Sequence, residues 1–262
     1  GGITVGSLAY TAVTAFAINA LTKKSLAKAR SAAASVAAAQ KGYGTNVNAV
    51  SPASDHAIIY GQQRVGGVIF YRSITNDQQY LHTLLALAGH ECEEIGTVYA
   101  DNVALTLDGN GFVTNDDFQI KDALRINKHL GTSTQAADAD LVAEDGAWTT
   151  AHAAKGIAYI YIRAEFSGDV FPQGLPTFSA VVKGKKVFDP RTSTTAWSSN
   201  AALCLRDYLT SDYGLGANSD EINDTVFSTA ANTCDENVTL SGGSTEKRYT
   251  VDGSFVTALP PD

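Results

Sequence analysis

Residues 155–216 read KGIAYIYIRAEFSGDVFPQGLPTFSAVVKGKKVFDPRTSTTAWSSNAALCLRDYLTSDYGLG, and this stretch decides the fold. Gly156–Phe166 is the strongest strand signal in the chain: β-branched and aromatic residues in a short run bounded by Gly at both ends. A Pro-flanked turn follows. Phe178–Val182 and Lys186–Phe188 are shorter strand signals, and Lys183-Gly184-Lys185 reads as the turn between them. Asn200–Thr210 then switches to helical spacing and stops at Tyr213-Gly214-Leu215-Gly216.

Strand signals also dominate upstream. His56–Tyr60, Arg64–Ile74, Cys92–Tyr99, Val103–Leu107 and Phe118–Asn127 are each short and apolar or β-branched. Gly66-Gly67 marks a bulge or a close backbone approach. Tyr80–Ala88 (YLHTLLALA) has the leucine content of a helix, but its neighbours and the Gly89 stop favour a strand. Asp108-Gly-Asn-Gly is a hairpin turn. Thr134–Glu144 reads as a helix capped by Thr132 or Ser133, and Asp220–Glu236 as another. Tyr249–Val251 and Ser254–Val256 read as a closing hairpin across Asp252-Gly253. The sum is an α+β chain, mainly antiparallel β, with several short helices.

The N-terminal segment is different in kind. Residues 10–40 are Ala-rich and free of Pro and Gly, which favours a helix. Ile3–Leu21 carries no charge and Lys23-Lys24 follow, so the segment is near the lower length limit for a membrane span. Thr4, Ser7, Thr11, Thr14 and Asn19 dilute it, and the charge lies on the wrong side for a cleavable signal. A buried or inter-subunit helix is the favoured reading, ahead of a membrane-interacting segment. The resulting division is an Ala-rich helical segment over 1–41, a β-rich part over 42–130, an α+β part over 131–256, and a linker over 257–262. The absence of Met, even at position 1, is read as the mark of a piece of a longer product.

The 262 residues carry a net charge of −8, with 44% hydrophobic and 18% charged residues, a globular composition. Residues 1–54 hold five basic residues and no acid, while the rest stands at −13. An acidic body argues against a nucleic-acid-binding surface. Three widely spaced cysteines, Cys92, Cys204 and Cys234, argue against zinc and against a disulfide scaffold. Cys204 reads as a buried small hydrophobe.

Candidate chemistry is sparse. His90-Glu-Cys-Glu-Glu is the densest cluster of catalytic residue types, but a zinc protease helix needs His where Glu94 stands. Strand alternation would put His90, Cys92 and Glu94 on one face and Glu91 and Glu93 on the other. Asp108-x-Asn110-x-Phe112 begins like a calcium loop, yet Val113 and Gln119 occupy the positions that need Gly and Glu. His129 and His152 read as surface residues. Asp207 reads as a helix-surface residue that pairs with a nearby basic group. Asp189-Pro190-Arg191 reads as a structural turn with Arg191 forked onto a carboxylate. No residue is assigned a catalytic, cofactor-binding or metal-binding role, and the expectation is that the chain is not an enzyme. The competing possibilities are a Cys- or metal-dependent hydrolase, which would join His90 or His152 to Cys92, Cys204 or a carboxylate pair, and a membrane-anchored envelope protein using Ile3–Leu21.

Seven pieces of the chain, in order, resemble the tail-tip hub proteins of long-tailed bacteriophages, the family of the lambda host-specificity tail protein. They are YGQQRVGG (60–67), LALAGHECEEIGTVYADN (85–102), KHLGTSTQAADADLVAE (128–144), GIAYIYIR (156–163), FPQGLPTFSAVVKGKKVFDPRT (171–192), WSSNAALCLRDYLTSDYGLGA (197–217) and EKRYTVDG (246–253). Each piece is weak alone; order and density give the signal. The resemblance implies a virion structural protein of the tail tip, assembled in the bacterial cytoplasm. It implies a homotrimer that closes the tail tube and meets the distal tail protein and the tape-measure protein. Such a hub bears other tail-tip and fibre proteins, contacts the host envelope indirectly, and opens for genomic DNA to pass. The chain departs from the family in being short, which puts direct receptor binding by these residues in doubt.

Overall fold

A computed structural model describes residues 48–50, 56–115, 123–165, 171 and 174–257. The Ala-rich segment 1–41, the 257–262 linker beyond residue 257 and part of the Phe118–Asn127 strand lie outside the described residues. What is described is α+β and mostly antiparallel sheet.

Five strands form the larger sheet: β1 (Asn48–Val50), β4 (Gly67–Thr75), β5 (Tyr80–Ala88), β9 (Ala158–Glu165) and β8 (Leu124–His129), in that spatial order. Only the β1–β4 pair is parallel. A second sheet has the order β3 (Gln62–Val65), β10 (Phe178–Lys183), β6 (Glu94–Ala100), β7 (Val103–Ala104). Strands from both sides of residue 130 share both sheets. Tyr80–Ala88 is therefore a strand. It lies between β4 and β9, where both of its edges are hydrogen-bonded and both of its faces are covered.

Alternation assigns the faces. Leu85, Leu87, Ile160, Ile162, Leu124 and Ile126 pack with Val65, Ile95, Val98, Ala180 and Val182 of the second sheet to form the main core. Leu84, Tyr159 and Tyr161 point to the opposite face of the larger sheet. There they are covered by Trp148 and by Leu141 of the short helix α1 (Ala139–Glu144). This is why β9 reads as an unbroken apolar run: both faces of the strand are buried. Gly67 is the close approach anticipated for Gly66-Gly67, since a Cβ there would stand 2.3 Å from the Ala86 carbonyl oxygen. The bulge falls further along, between Ile69 and Tyr71.

A separate core forms around β2 (His56–Tyr60), β11 (Lys186–Asp189), α2 (Ala201–Thr210) and α3 (Asp224–Cys234). Its centre is Ile58, Tyr60, Val187, Ala202, Leu203, Cys204, Ala231 and Cys234. The alternation of β2 joins the two cores, because Ile59 belongs to the first and its neighbours Ile58 and Tyr60 to the second. Helix α2 is capped by Asn200, whose Oδ1 accepts from the Ala202 and Leu203 amides while Nδ2 donates to the Ala231 carbonyl. One buried side chain thus caps α2 and ties it to α3. Asn200→Ala is expected to cost about 2 kcal/mol, the sum of a lost cap and an unpaired buried carbonyl, read from the urea midpoint at constant m.

Several expectations are corrected here. The Thr134–Glu144 helix begins only at Ala139, and its cap is Asp138, not Thr132 or Ser133. Gln135 accounts for the difference: its amide binds Gly131 N and the carbonyls of Ala153, Ala154 and Ile157, holding the preceding residues in an irregular path. The Asp220–Glu236 helix is trimmed to α3, which Asn223 caps. Lys183–Lys185 is not a hairpin turn. Here β10 pairs with β3 and β6, while β11 pairs with β12 (Thr194–Trp197). The closing hairpin is likewise absent, because β15 (Gly253–Thr257) crosses the chain to pair with β2. Asn237–Thr239 and Thr245–Lys247 make a small exposed hairpin of their own, β13 and β14.

Candidate functional site

The His90–Glu94 cluster does not lie along one strand. β6 starts at Glu94, and residues 89–93 form a bend. His90 turns inward: its Nε2 accepts the Ile59 amide at 3.0 Å, and its Nδ1 donates to the Glu91 carbonyl at 2.8 Å. Cys92 is fully buried, with Sγ 3.8 Å from His90 Nδ1. Burial, followed by the Glu91 charge, pushes its thiol up to about 12, so it carries no thiolate at neutral pH. The acids turn outward, Glu91 and Glu93 to Lys186 and Glu94 to Lys183. Of the other residues named for a hydrolase, His152 sits beside Trp148 and Thr149 on the far face of the larger sheet, while Cys204 is buried in the second core, its thiol also raised to about 12 by burial. The fold brings His90 and Cys92 together and leaves His152 and Cys204 elsewhere.

A polar cluster around Asp207 was only partly legible in the sequence. Asp207 Oδ2 accepts from Tyr60 at 2.5 Å, Tyr213 at 2.8 Å and Lys185 at 2.9 Å. Lys185 also reaches Tyr213 Oη at 2.7 Å and Ser211 Oγ at 3.3 Å. Burial raises the Tyr60 phenol far above its usual range, and Asp207 and Tyr213 add to the effect. Burial alone would lower the Lys185 ammonium, but the bonds to Tyr213 and Asp207 outweigh it and raise it. Asp207 does pair with a basic group, as expected of it, but in a half-buried site and not on an open helix surface. Its partner Tyr60 is 147 residues away, a separation that no local pattern reports.

On the outer face of the larger sheet, His129 is also drawn in. Its Nε2 meets Asp138 Oδ2 at 2.7 Å and its ring stacks on Tyr159. Burial would raise the Asp138 carboxyl, but bonds from His129, the Leu141 amide and Asn127 outweigh it and hold it below the usual range. A depressed carboxylate contributes stability that is complete above the unfolded value, about 3.9, and is lost as pH falls through the folded one. Urea midpoints are therefore expected to drop below about pH 4, and Asp138→Asn to flatten that limb.

The Asp108 loop is an internal turn: Oδ1 accepts the Asn110 and Phe112 amides. Among the described residues no group of three or more His, Cys, Asp or Glu is placed to hold a metal ion. Asp189 and Arg191 form the expected fork, extended by Arg191 to Asp235 at the end of α3. The second core also exposes apolar side chains: Leu205 and Tyr208 on α2, Val226 on α3, Leu215 at 73% and Val256 on β15. Among the described residues no helix is long and apolar enough to cross a membrane.

These features define an α+β protein of packed antiparallel sheets with an added helical core. No protein-family model matches the chain, and no curated protein matches it. Among solved structures it is similar to a chain of the virion of a native gene transfer agent (GTA) particle, with a TM-score of 0.39 and 18% identity. That match spans 53% of this chain and 28% of the other.

Proposed function

We propose that this chain is a structural component of a bacteriophage tail tip and not an enzyme. In this reading it is a trimeric hub that closes the tail tube and connects it to the central fibre or receptor-binding apparatus. It opens for DNA ejection during host attachment. Its neighbours would be the distal tail protein, the tape-measure protein and other tail-tip and fibre proteins, with the host envelope contacted indirectly.

One observation carries the reading: the pieces that resemble the hub family are the framework of the fold. YGQQRVGG contains β3 and the Gly67 approach. LALAGHECEEIGTVYADN supplies the end of β5, the His90 bend and β6. FPQGLPTFSAVVKGKKVFDPRT supplies β10, β11 and the Arg191 fork, and WSSNAALCLRDYLTSDYGLGA supplies α2, its cap and the Asp207 cluster. In them, His90 is turned to the Ile59 amide and Asp207 to Tyr60, Tyr213 and Lys185. The exposed apolar side chains of the second core suit subunit contacts of the head-to-tail kind that close a ring. Gold-labelled antibody against the chain, applied to intact particles, is expected to mark one end of the tail. Label spread along the tube, or found only on free protein, would overturn the placement.

A further inference from the structure

The strand that joins the two cores is held by an imidazole. On one side β2 pairs with β15. Among the described residues, no strand completes the other side. Gly89 N donates to Ala57 O, Lys185 N donates to Ile59 O, and the Ile59 amide donates to His90 Nε2. Ile59 is 0% exposed, so its amide has no water to turn to if the ring withdraws. The ring's other nitrogen must donate, because its partner is the Glu91 carbonyl. The two partners thus fix a single tautomer, with hydrogen on Nδ1 and a lone pair on Nε2. A second proton would set two donors face to face at the present 3.0 Å.

We propose that His90 is a proton-operated latch: protonation at Nε2 releases the Ile59 amide and loosens β2, with β15, from the main core. Because Ile58 and Tyr60 of the same strand are anchored in the second core, this release weakens the connection between the two cores.

The groups bearing on the ring agree with this direction. Burial, the largest influence, holds the imidazole below its usual range; the Glu91 carbonyl opposes it, Lys185 adds to it and Asp207 opposes it. Lys185 and Asp207 are themselves paired at 2.9 Å. On β2 the Tyr60 phenol is engaged by Asp207, and on the ring's own bend Glu91 and Glu93 pair with Lys186 while Cys92 stays a thiol. A histidine held low contributes stability that is complete above the unfolded value, about 6.5, and is lost as pH falls through the folded one. The latch is closed at neutral pH and opens on acidification.

Hydrogen exchange of the full chain tests this, followed from about pH 7.5 to about pH 4.5 and corrected for the intrinsic rate. Protection of residues 56–60 and 253–257 is expected to be flat near neutrality. It should then fall about tenfold per pH unit from about pH 6.5 down to the folded value of His90 and level off below it, while the 178–183 ladder holds. In His90→Gln, whose amide oxygen accepts the Ile59 amide without titrating, protection should stay flat. Nitrogen-15 shifts of the wild-type ring give a reading that does not depend on the variant folding: Nε2 should be bare at neutral pH and take its proton at the lower end of the window in which protection falls. A protonated Nε2 at neutral pH, a ring that stays neutral until the whole chain unfolds, unchanged protection once the ring is charged, or an equal loss in His90→Gln would each overturn the latch.

Discussion

Asp207→Ala is expected to destabilise the fold by about 3 kcal/mol, because it removes the acceptor from a pair that is then left uncompensated. The carboxylate is the common acceptor for Tyr60, Tyr213 and Lys185. The side chains of Lys185 and Asp207 are only 23% and 15% exposed, so water replaces little of what is lost. The ammonium would remain half-buried and the Tyr60 side chain buried, and α2 would lose its tie to β2. Asp207→Asn should fall between the variant and wild type, since an amide oxygen still accepts from the tyrosines but no longer offsets the ammonium charge. In the Lys185→Met background the cost of Asp207→Asn should shrink by at least about 1 kcal/mol, the mark of direct coupling. Urea unfolding of the four proteins measures this; strictly additive losses would show that the cluster is not a unit.

Gly184→Ala should be of similar size, above about 2 kcal/mol, and for a different reason. A Cβ at 184 would stand 2.0 Å from the Ile59 carbonyl oxygen and 2.6 Å from its carbon, and the obstacle is backbone, which cannot rotate aside. The same carbonyl accepts Lys185 N, and Gly184 N donates to Gly61 O, so relief of the clash breaks the bonds that seat β2. Overpacking in a filled core costs about 1–3 kcal/mol, and a backbone obstacle places this case at the upper end. Gly242→Ala, at a position with open space around it, is the matched control and should be near neutral. Equal midpoints for the two variants would contradict the assigned path of β2.

Both positions bear on how much could be read from the chain. β9 was legible because burial on two faces writes itself as an apolar run, and α2 because its helical spacing ends in the Tyr213-Gly214-Leu215-Gly216 stop, although Asn200 proves to be its cap and not its first residue. The leucines of β5 left helix and strand in competition, and only the pairing with β4 and β9 settles it. The helix before Glu144 was drawn too long because alanines report propensity and say nothing of the Gln135 bonds that hold the chain off it. The β2–β15 pair was missed for a related reason. Asp252-Gly253 has local hairpin chemistry, but residues 57 and 256 meet through tertiary structure alone. His90 is the sharpest case: strand alternation would put it on one face with Cys92 and Glu94, whereas it sits in a bend with its Nε2 accepting one buried amide. The Asp207 carboxylate was legible as one half of a charge pair, but not its tyrosines.

The central claim is that this chain is a tail-tip hub, and the most direct test is the symmetry and copy number of the chain in the assembled particle, by cryo-electron microscopy. Three copies around an axial channel at one end of a tube are predicted, with the apolar side chains of the second core lying in the contacts between copies. A single copy off the axis, or a dimer closed around a pocket at His90 and Cys92, would contradict it.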